Sequence, residues 1–321
     1  MDGAGFTTLL RKLPSLTPRQ HLQLLDALRP AIGFERVCKA IADARPRPGC
    51  PGCQASNPYR HGQDRGVQRY RCRACKKSFN ALSGTPLSRL RHRAKWLDYL
   101  DKMLDTKSVR ASAAAVGVHR NTSFRWRHRF LARAKHDRAE RLAGIAEADE
   151  LFLLESQKGA RKLDRPARRR GGVAATRGIT HEHVCILVAR ARTGQTLDFV
   201  TGRAAVTKQQ LHRHLGPRLD RDVLLVTDAH AAYRAFAREA GIAHAYVNLR
   251  AKERVRGAVH VQNVNAYHQR FRQWLARFRG VASRYLPNYL GWRWALDGER
   301  IASPEKLLRA ALGIFHTGFH T

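Results

Sequence analysis

Acid is what this sequence is short of. Its 321 residues hold 25 Asp and Glu against 60 Lys and Arg, a formal net charge of +35. A chain so unbalanced repels itself until a polyanion neutralises it, and the expected partner is nucleic acid. Long apolar runs are missing as well. Nothing reaches the roughly 18 apolar residues of a membrane span, and "MDGAGFTTLLRKL" lacks the charged-then-apolar order of a secretory leader. No membrane partner and a cytoplasmic location are therefore expected. Cysteine is scarce too, six in all. Four of the six fall in two pairs at metal spacing and Cys38 and Cys185 stand alone, which argues against a disulfide framework. Disorder is argued against by an apolar content of 43%.

The pairs lie in "CPGCQASNPYRHGQDRGVQRYRCRAC". Cys50, Cys53, Cys72 and Cys75 form two Cys-x-x-Cys knuckles separated by 18 residues, enough for a hairpin with turns at Gly62 and Gly66. Four thiolates so spaced suit tetrahedral Zn²⁺ and predict a structural zinc ribbon over residues 46–85. Four reduced cysteines without metal are the alternative. Ahead of it, Thr17, Pro18 and Gln20 make a capped helix start, and Pro30 is the expected stop of a helical leader within residues 1–45.

After the ribbon, "KSVRASAAAVGVHRNTSFRWRHRFL" reads as two helices about a tight turn at Gly117. With Trp126 and Phe130 inward, Arg120, Asn121, Arg125 and His128 are left on the outer face of the second helix. These side chains can reach phosphates and base edges in a major groove, so residues 86–138 are read as a helix-turn-helix. A solvated basic helical hairpin would look the same.

Beyond about residue 140 the pattern changes to three strands, then helix, strand, helix, strand and a long amphipathic helix from about Val264 to Phe278. That order predicts an α/β domain, a mixed sheet with flanking helices over residues 142–321. Asp149 falls inside the first strand and Asp228 at the end of "VLLVTD", where a parallel sheet opens onto a ligand. If the first and fourth strands are neighbours, the two carboxylates converge and call for Mg²⁺ or Mn²⁺. Each has a plainer reading: a surface acid among Glu147, Glu150 and Glu155, and a helix N-cap. On the long helix Asn265, His268 and Arg272 share one stripe, and Asn265 could offer a carbonyl oxygen as third ligand. Glu253 is the weaker alternative.

Taken together, the cysteine segment, the helical pair, "ADELFLLESQKGARKLDRPARRRGG", "LLVTDAHAAY" and "VQNVNAYHQRFRQWLARFRGVASRYLPNYLGW" resemble, in this order, bacterial insertion-sequence transposases of the ISXO-like group. The resemblance spans residues 45–297. It implies an RNase H-like catalytic domain in which Asp149 and Asp228 match the first two acids of the catalytic triad and Asn265 the third position. There many relatives carry Glu and some carry Asn with a basic residue seven positions on. Arg272 stands at that basic position, where Lys is more usual. The implied activity is cleavage at transposon ends, then attack of the freed 3′-hydroxyl on target DNA, by an oligomer assembled on DNA in a bacterial nucleoid. A DNA-binding regulator that has lost the chemistry and a nuclease of the same fold are the rival readings. Lys158, Arg168, Arg169 and Arg170 lie in a basic stretch just after the first strand and are expected to contact DNA phosphates.

Overall fold

The computed structural model describes residues 2–169, 171–247, 251 and 255–315. The chain forms two compact units. One takes the chain up to Asp105, Arg110–Phe130 and the chain from Ile301 onward; the other takes Thr106–Val109 and Leu131–Arg300.

The first unit opens with α1 (Gly3–Lys12) and α2 (Pro18–Ala44). Thr17 and Gln20 form the expected reciprocal cap, but Pro30 does not end α2, which runs on for a total of 27 residues. The proline sits on an exposed turn, where the lost backbone bond leaves a carbonyl that water can satisfy. Val37, Ile41 and Ala44 then bury the far end of the helix. Next come β1 (Tyr59–Asp64), β2 (Val67–Arg71) and β3 (Ser78–Asn80), an antiparallel sheet in that order. The helices α3 (Trp96–Leu104), α4 (Val109–Val116) and α5 (Arg120–Ala134) follow. Gly117 turns the chain between α4 and α5 with φ +64°, a conformation that costs other residues more. Trp96, Tyr99, Trp126 and Phe130 are buried together in edge-on contacts, and the Tyr99 hydroxyl donates to the Ser123 carbonyl at 2.5 Å.

In the second unit β4 (Ile145–Leu154), β5 (His183–Ala191) and β6 (Thr196–Arg203) form an antiparallel meander. After α6 (Lys208–His214) the chain crosses to β7 (Leu224–Asp228), which lies parallel to β4. Then α7 (Ala231–Ala240) leads to β8 (Ala243–Val247), parallel to β7, and a two-stranded ribbon, β9 (Val255–Arg256) with β10 (Val259–His260), leads to α8 (Gln262–Ala276) and α9 (Leu286–Asp297). The sheet order is β6-β5-β4-β7-β8, the mixed α/β architecture expected from the strand and helix order.

Alternation along β4 sorts its side chains between two layers. Ala146 and Ala148 enter an apolar cluster with Leu187, Leu225, Leu211, Leu215, Tyr233 and Phe236 beneath α6 and α7. Glu147 faces α8 on the other side. There Val264, Tyr267, Phe271 and Trp274 bury the apolar stripe of α8, and Trp274 meets Tyr289 and Trp292 of α9. The aromatic "RYLPNYLGWRWAL" stretch is therefore core. A last helix, α10 (Pro304–Ala311), packs against α2 and α3 of the first unit, so the sheet unit ends at Arg300 rather than at residue 321.

Candidate active site

The register of β4 with β7 decides the geometry. Ile145 pairs with Leu224 and Glu147 with Val226, so the same parallel register brings Asp149 level with Asp228 on one face of the sheet. Both are half-buried. The Asp149 Oδ1 accepts the Glu150 amide at 2.9 Å, and the Asp228 Oδ1 accepts the His230 amide at 3.0 Å, which orients one carboxylate within β4 and the other at the end of β7. Asp228 thus also shapes the turn into α7, but the N-cap of that helix is His230. Burial, with a lesser contribution from the Asp228 charge, pushes the Asp149 carboxyl up to about 6; Arg272 pulls against them. A carboxylate pair that is crowded and short of compensating charge fits a divalent cation held by oxygen ligands.

The third element is α8. From its stripe His268 approaches Asp149: its Nδ1 lies 3.9 Å from the Asp149 Oδ2, too far for a hydrogen bond. His268 is buried, and burial with the neighbouring Arg272 drives its pKa down to about 4, so the ring is neutral near pH 7. Asn265, one turn earlier on the same face, is exposed and makes no side-chain hydrogen bond among the described residues; Arg272, one turn later, is exposed. Glu253 lies outside the described residues.

What surrounds this pair is not legible from the local sequence. The acids near Asp149 are not a surface cluster. Glu147 has no exposed surface, and Glu155, on the chain leaving β4, is buried under Arg165, whose Nη2 is 2.9 Å from its Oε2. Glu150 pairs across the sheet with Leu187 and so points to the α7 side, where burial and the Asp149 charge push its carboxyl up to about 8. Only the alternation of a strand already known to be covered on both faces could have separated Glu147 from Glu150.

The basic stretch is also partly occupied. Lys158 donates to the carbonyls of Arg279 and Gly280 at 3.0 and 2.9 Å. Arg168 donates to the Glu155 carbonyl and to Glu182. Both hold the segment to the sheet unit, which leaves the exposed Arg161, Lys162 and Arg169 as the described basic side chains of that stretch open to a ligand; Arg170 lies outside the described residues. On α5, Arg120, Asn121 and Arg125 are exposed as expected, and His128 is half-buried with its ring 4.5 Å from that of Phe124.

A second cluster is built for metal. The four cysteine sulfurs lie within 4.8 Å of one another, with Cys50 and Cys75, and Cys53 and Cys72, each 3.5 Å apart. Tetrahedral Zn–S bonds of about 2.3 Å require sulfurs about 3.8 Å apart, so the four can hold an ion such as zinc with small adjustment.

The profile of the ISXO2-like transposase domain matches residues 141–294, the span that holds Asp149, Asp228 and α8. A protein of the transposable element ISH50 from Halobacterium salinarum, itself uncharacterised, is 31% identical over 267 residues, covering 81% of this chain and 89% of the relative. The chain belongs to the ISXO2-like transposase family. Two solved Mos1 assemblies, a pre-cleavage transpososome and a paired-end complex with the left transposon end, align with 66% and 67% of this transposase and 73% and 75% of their own chains. Their identities are 12% and 14%, each at a TM-score of 0.26. No helix among the described residues of the transposase is long and apolar enough to cross a membrane.

Proposed function

We propose that this transposase cleaves the ends of its element and joins the freed 3′-hydroxyls to target DNA, with Asp149 and Asp228 as the metal-holding pair of an RNase H-like domain. The observation that carries the reading is the parallel β4–β7 register, which sets the two carboxylates side by side where β7 ends. A three-stranded meander followed by two parallel strands is the sheet such a domain requires. Mg²⁺ or Mn²⁺ bound there would supply charge neutralisation and an activated water. Asn265 and Arg272 complete the site from α8: the amide oxygen as a neutral ligand, the guanidinium as a phosphate contact. His268, neutral and buried, braces that face of the helix beside Asp149.

In this reading α4 and α5 form a helix-turn-helix whose Arg120, Asn121, Arg125 and His128 read the terminal repeats, and the cysteine module is a zinc ribbon that stabilises this unit. Assembly on paired ends as a homo-oligomer follows from the need to hold two ends at once. The test uses supercoiled plasmid, Mn²⁺, and DNA taken from either side of the gene. Joined products are expected. Nicking without joining would point to a nuclease, and end binding without either would leave a DNA-binding regulator.

The basic segment gives a second expectation. Arg169→Ala should weaken DNA binding about equally on all sequences and lower the slope of log K against log salt by about one, as for a single lost phosphate contact. Arg168→Ala should instead cost stability, because it strips a partner from Glu182. Fluorescence anisotropy at several salt concentrations checks this; an unchanged slope for Arg169→Ala would remove the segment from the DNA path.

A further inference from the structure

The first turn of α8 is capped locally only at Gln262, whose amide donates to His260 Nδ1 at 3.3 Å. Its N-cap residue is Val261, whose side chain accepts nothing, yet Asn263 and Val264 present free amides at the second and third helical positions. Both are taken by a carboxylate from a strand more than a hundred residues earlier. The Glu147 Oε2 accepts the Asn263 amide at 2.7 Å and the Val264 amide at 3.1 Å, while its Oε1 accepts the Asn263 side-chain Nδ2 at 2.7 Å. Arg192 Nε at 2.9 Å closes the shell around Oε1. Arg192 in turn donates to the Ala258 carbonyl at 2.8 Å, tying down the ribbon that leads into the helix.

Charge explains why such a group is tolerated with no exposed surface. A carboxylate at a helix N-terminus meets the positive end of the helix dipole and replaces the missing cap, and charge-assisted bonds of this kind are about twice as strong as neutral ones. Position explains what it does. Glu147 and Asp149 are two residues apart on one face of β4, so the clamp on the first turn of α8 sits one step along the strand from the carboxylate that α8 faces. Once Asn263 and Val264 are pinned, rotation and rise about the helix axis are set, and with them the place of His268 beside Asp149 and of Asn265 and Arg272 on the same helix stripe.

We infer that Glu147 is a positioning residue of this transposase: it caps α8 from β4 and so fixes the register in which the third element of the site meets Asp149. The inference rests on the proposed role of Asp149 and α8 in cleavage, and Glu147 itself touches no reacting atom. A group of this kind, orienting those that hold a metal, commonly changes affinity or activity by about 10–100-fold when altered.

The experiment pairs E147Q with the double variant E147Q/N263D in the full chain. In E147Q the side-chain oxygen can stay on the two backbone amides, but the new NH₂ then opposes the Asn263 NH₂ and Arg192. Adding N263D restores an acceptor there, with donor and acceptor exchanged across the same pair. For E147Q we expect end binding within about twofold of wild type, cleavage lowered about 10–100-fold, and faster hydrogen exchange at the Asn263 and Val264 amides. For E147Q/N263D both cleavage and protection should return. Unchanged exchange in E147Q, or normal cleavage by it, overturns the inference, as does a loss that N263D leaves in place. If E147Q does not fold, E147D takes its place with the same readouts, since it keeps the charge near Arg192 but is one methylene too short to span to both amides. Hydrogen exchange reads the clamp without catalysis, so a wild-type protein that fails to cleave would count against the proposed chemistry and not against the clamp.

Discussion

Asp149→Asn should abolish end cleavage and, without metal, make the protein more stable at pH 8. The two effects have one cause. The site holds Asp149 partly out of water beside Asp228, with Glu150 on the other face of the same strand, and burial raises Asp149 to about 6 and Glu150 to about 8. Both folded-state values lie above those of the unfolded chain, so between about pH 4 and pH 8 the native state binds the extra protons. Stability contributed by these two groups is therefore greatest at the acid end and falls as pH rises through the folded values. For Asp149, a rise from 3.8 to about 6 amounts to roughly 3 kcal/mol at most at pH 8. Asn keeps the acceptor for the Glu150 amide and removes the charge. Melting should thus rise for the variant at pH 8 and differ little at pH 4. Mn²⁺ should raise the melting temperature of wild type at pH 8 more than at pH 5, and that of the variant hardly at all. Cleavage should drop by about 10³-fold or more, about 4 kcal/mol of lost transition-state stabilisation, with DNA-end binding kept. A variant that melts below wild type at pH 8, or that Mn²⁺ stabilises as well as wild type, would show that the pair is not a metal site.

How far this site could be read in advance depended on which interactions were local in the chain. Asp149 and Asp228 were legible because strand-forming runs surround them, and one topological condition, adjacency of the first and fourth strands, made them converge. The aromatic stripe of α8 was legible from its helical period. Glu147 was not, because its partners lie at residues 190 to 264 and its neighbours in sequence are other acids; an acidic run looks solvated until both faces of the strand are covered. The same holds for Lys158 and Arg168, which sit in a basic run and are held by carbonyls and acids of distant segments. Pro30 misled for the opposite reason: a strong local signal was overridden where an exposed turn made the missing hydrogen bond cheap, and the buried end at Val37, Ile41 and Ala44 kept the helix going. Asn265 stays at the surface of its helix among the described residues, so its part in the chemistry depends on what the DNA and the cation bring.

Cys72→Ser should release one zinc ion per chain and unfold the β1–β3 module while leaving the sheet unit intact. The core of that module consists of Cys50, Tyr70, Cys72 and Phe79, with Ala55 and Cys75 partly covered, so half of its buried side chains are the ligands themselves. So few apolar groups bury too little surface to offset the entropy of ordering the two knuckles and the hairpin. A structural zinc site supplies about 10–16 kcal/mol on binding, which makes metal retention and folding one equilibrium. Limited proteolysis should then cut at the Gly62 and Gly66 turn in the variant and in chelator-treated wild type. Mn²⁺-dependent stabilisation through Asp149 should survive in both, because soft thiolates and hard carboxylates select different ions. DNA-end binding should fall by about tenfold or more if the module braces the helices of the first unit. A module that resists protease with all four thiols free to react would mean that its fold needs no metal. Loss of the Mn²⁺ effect together with zinc would instead mean that the two centres are coupled, and a structural metal would then regulate the catalytic one.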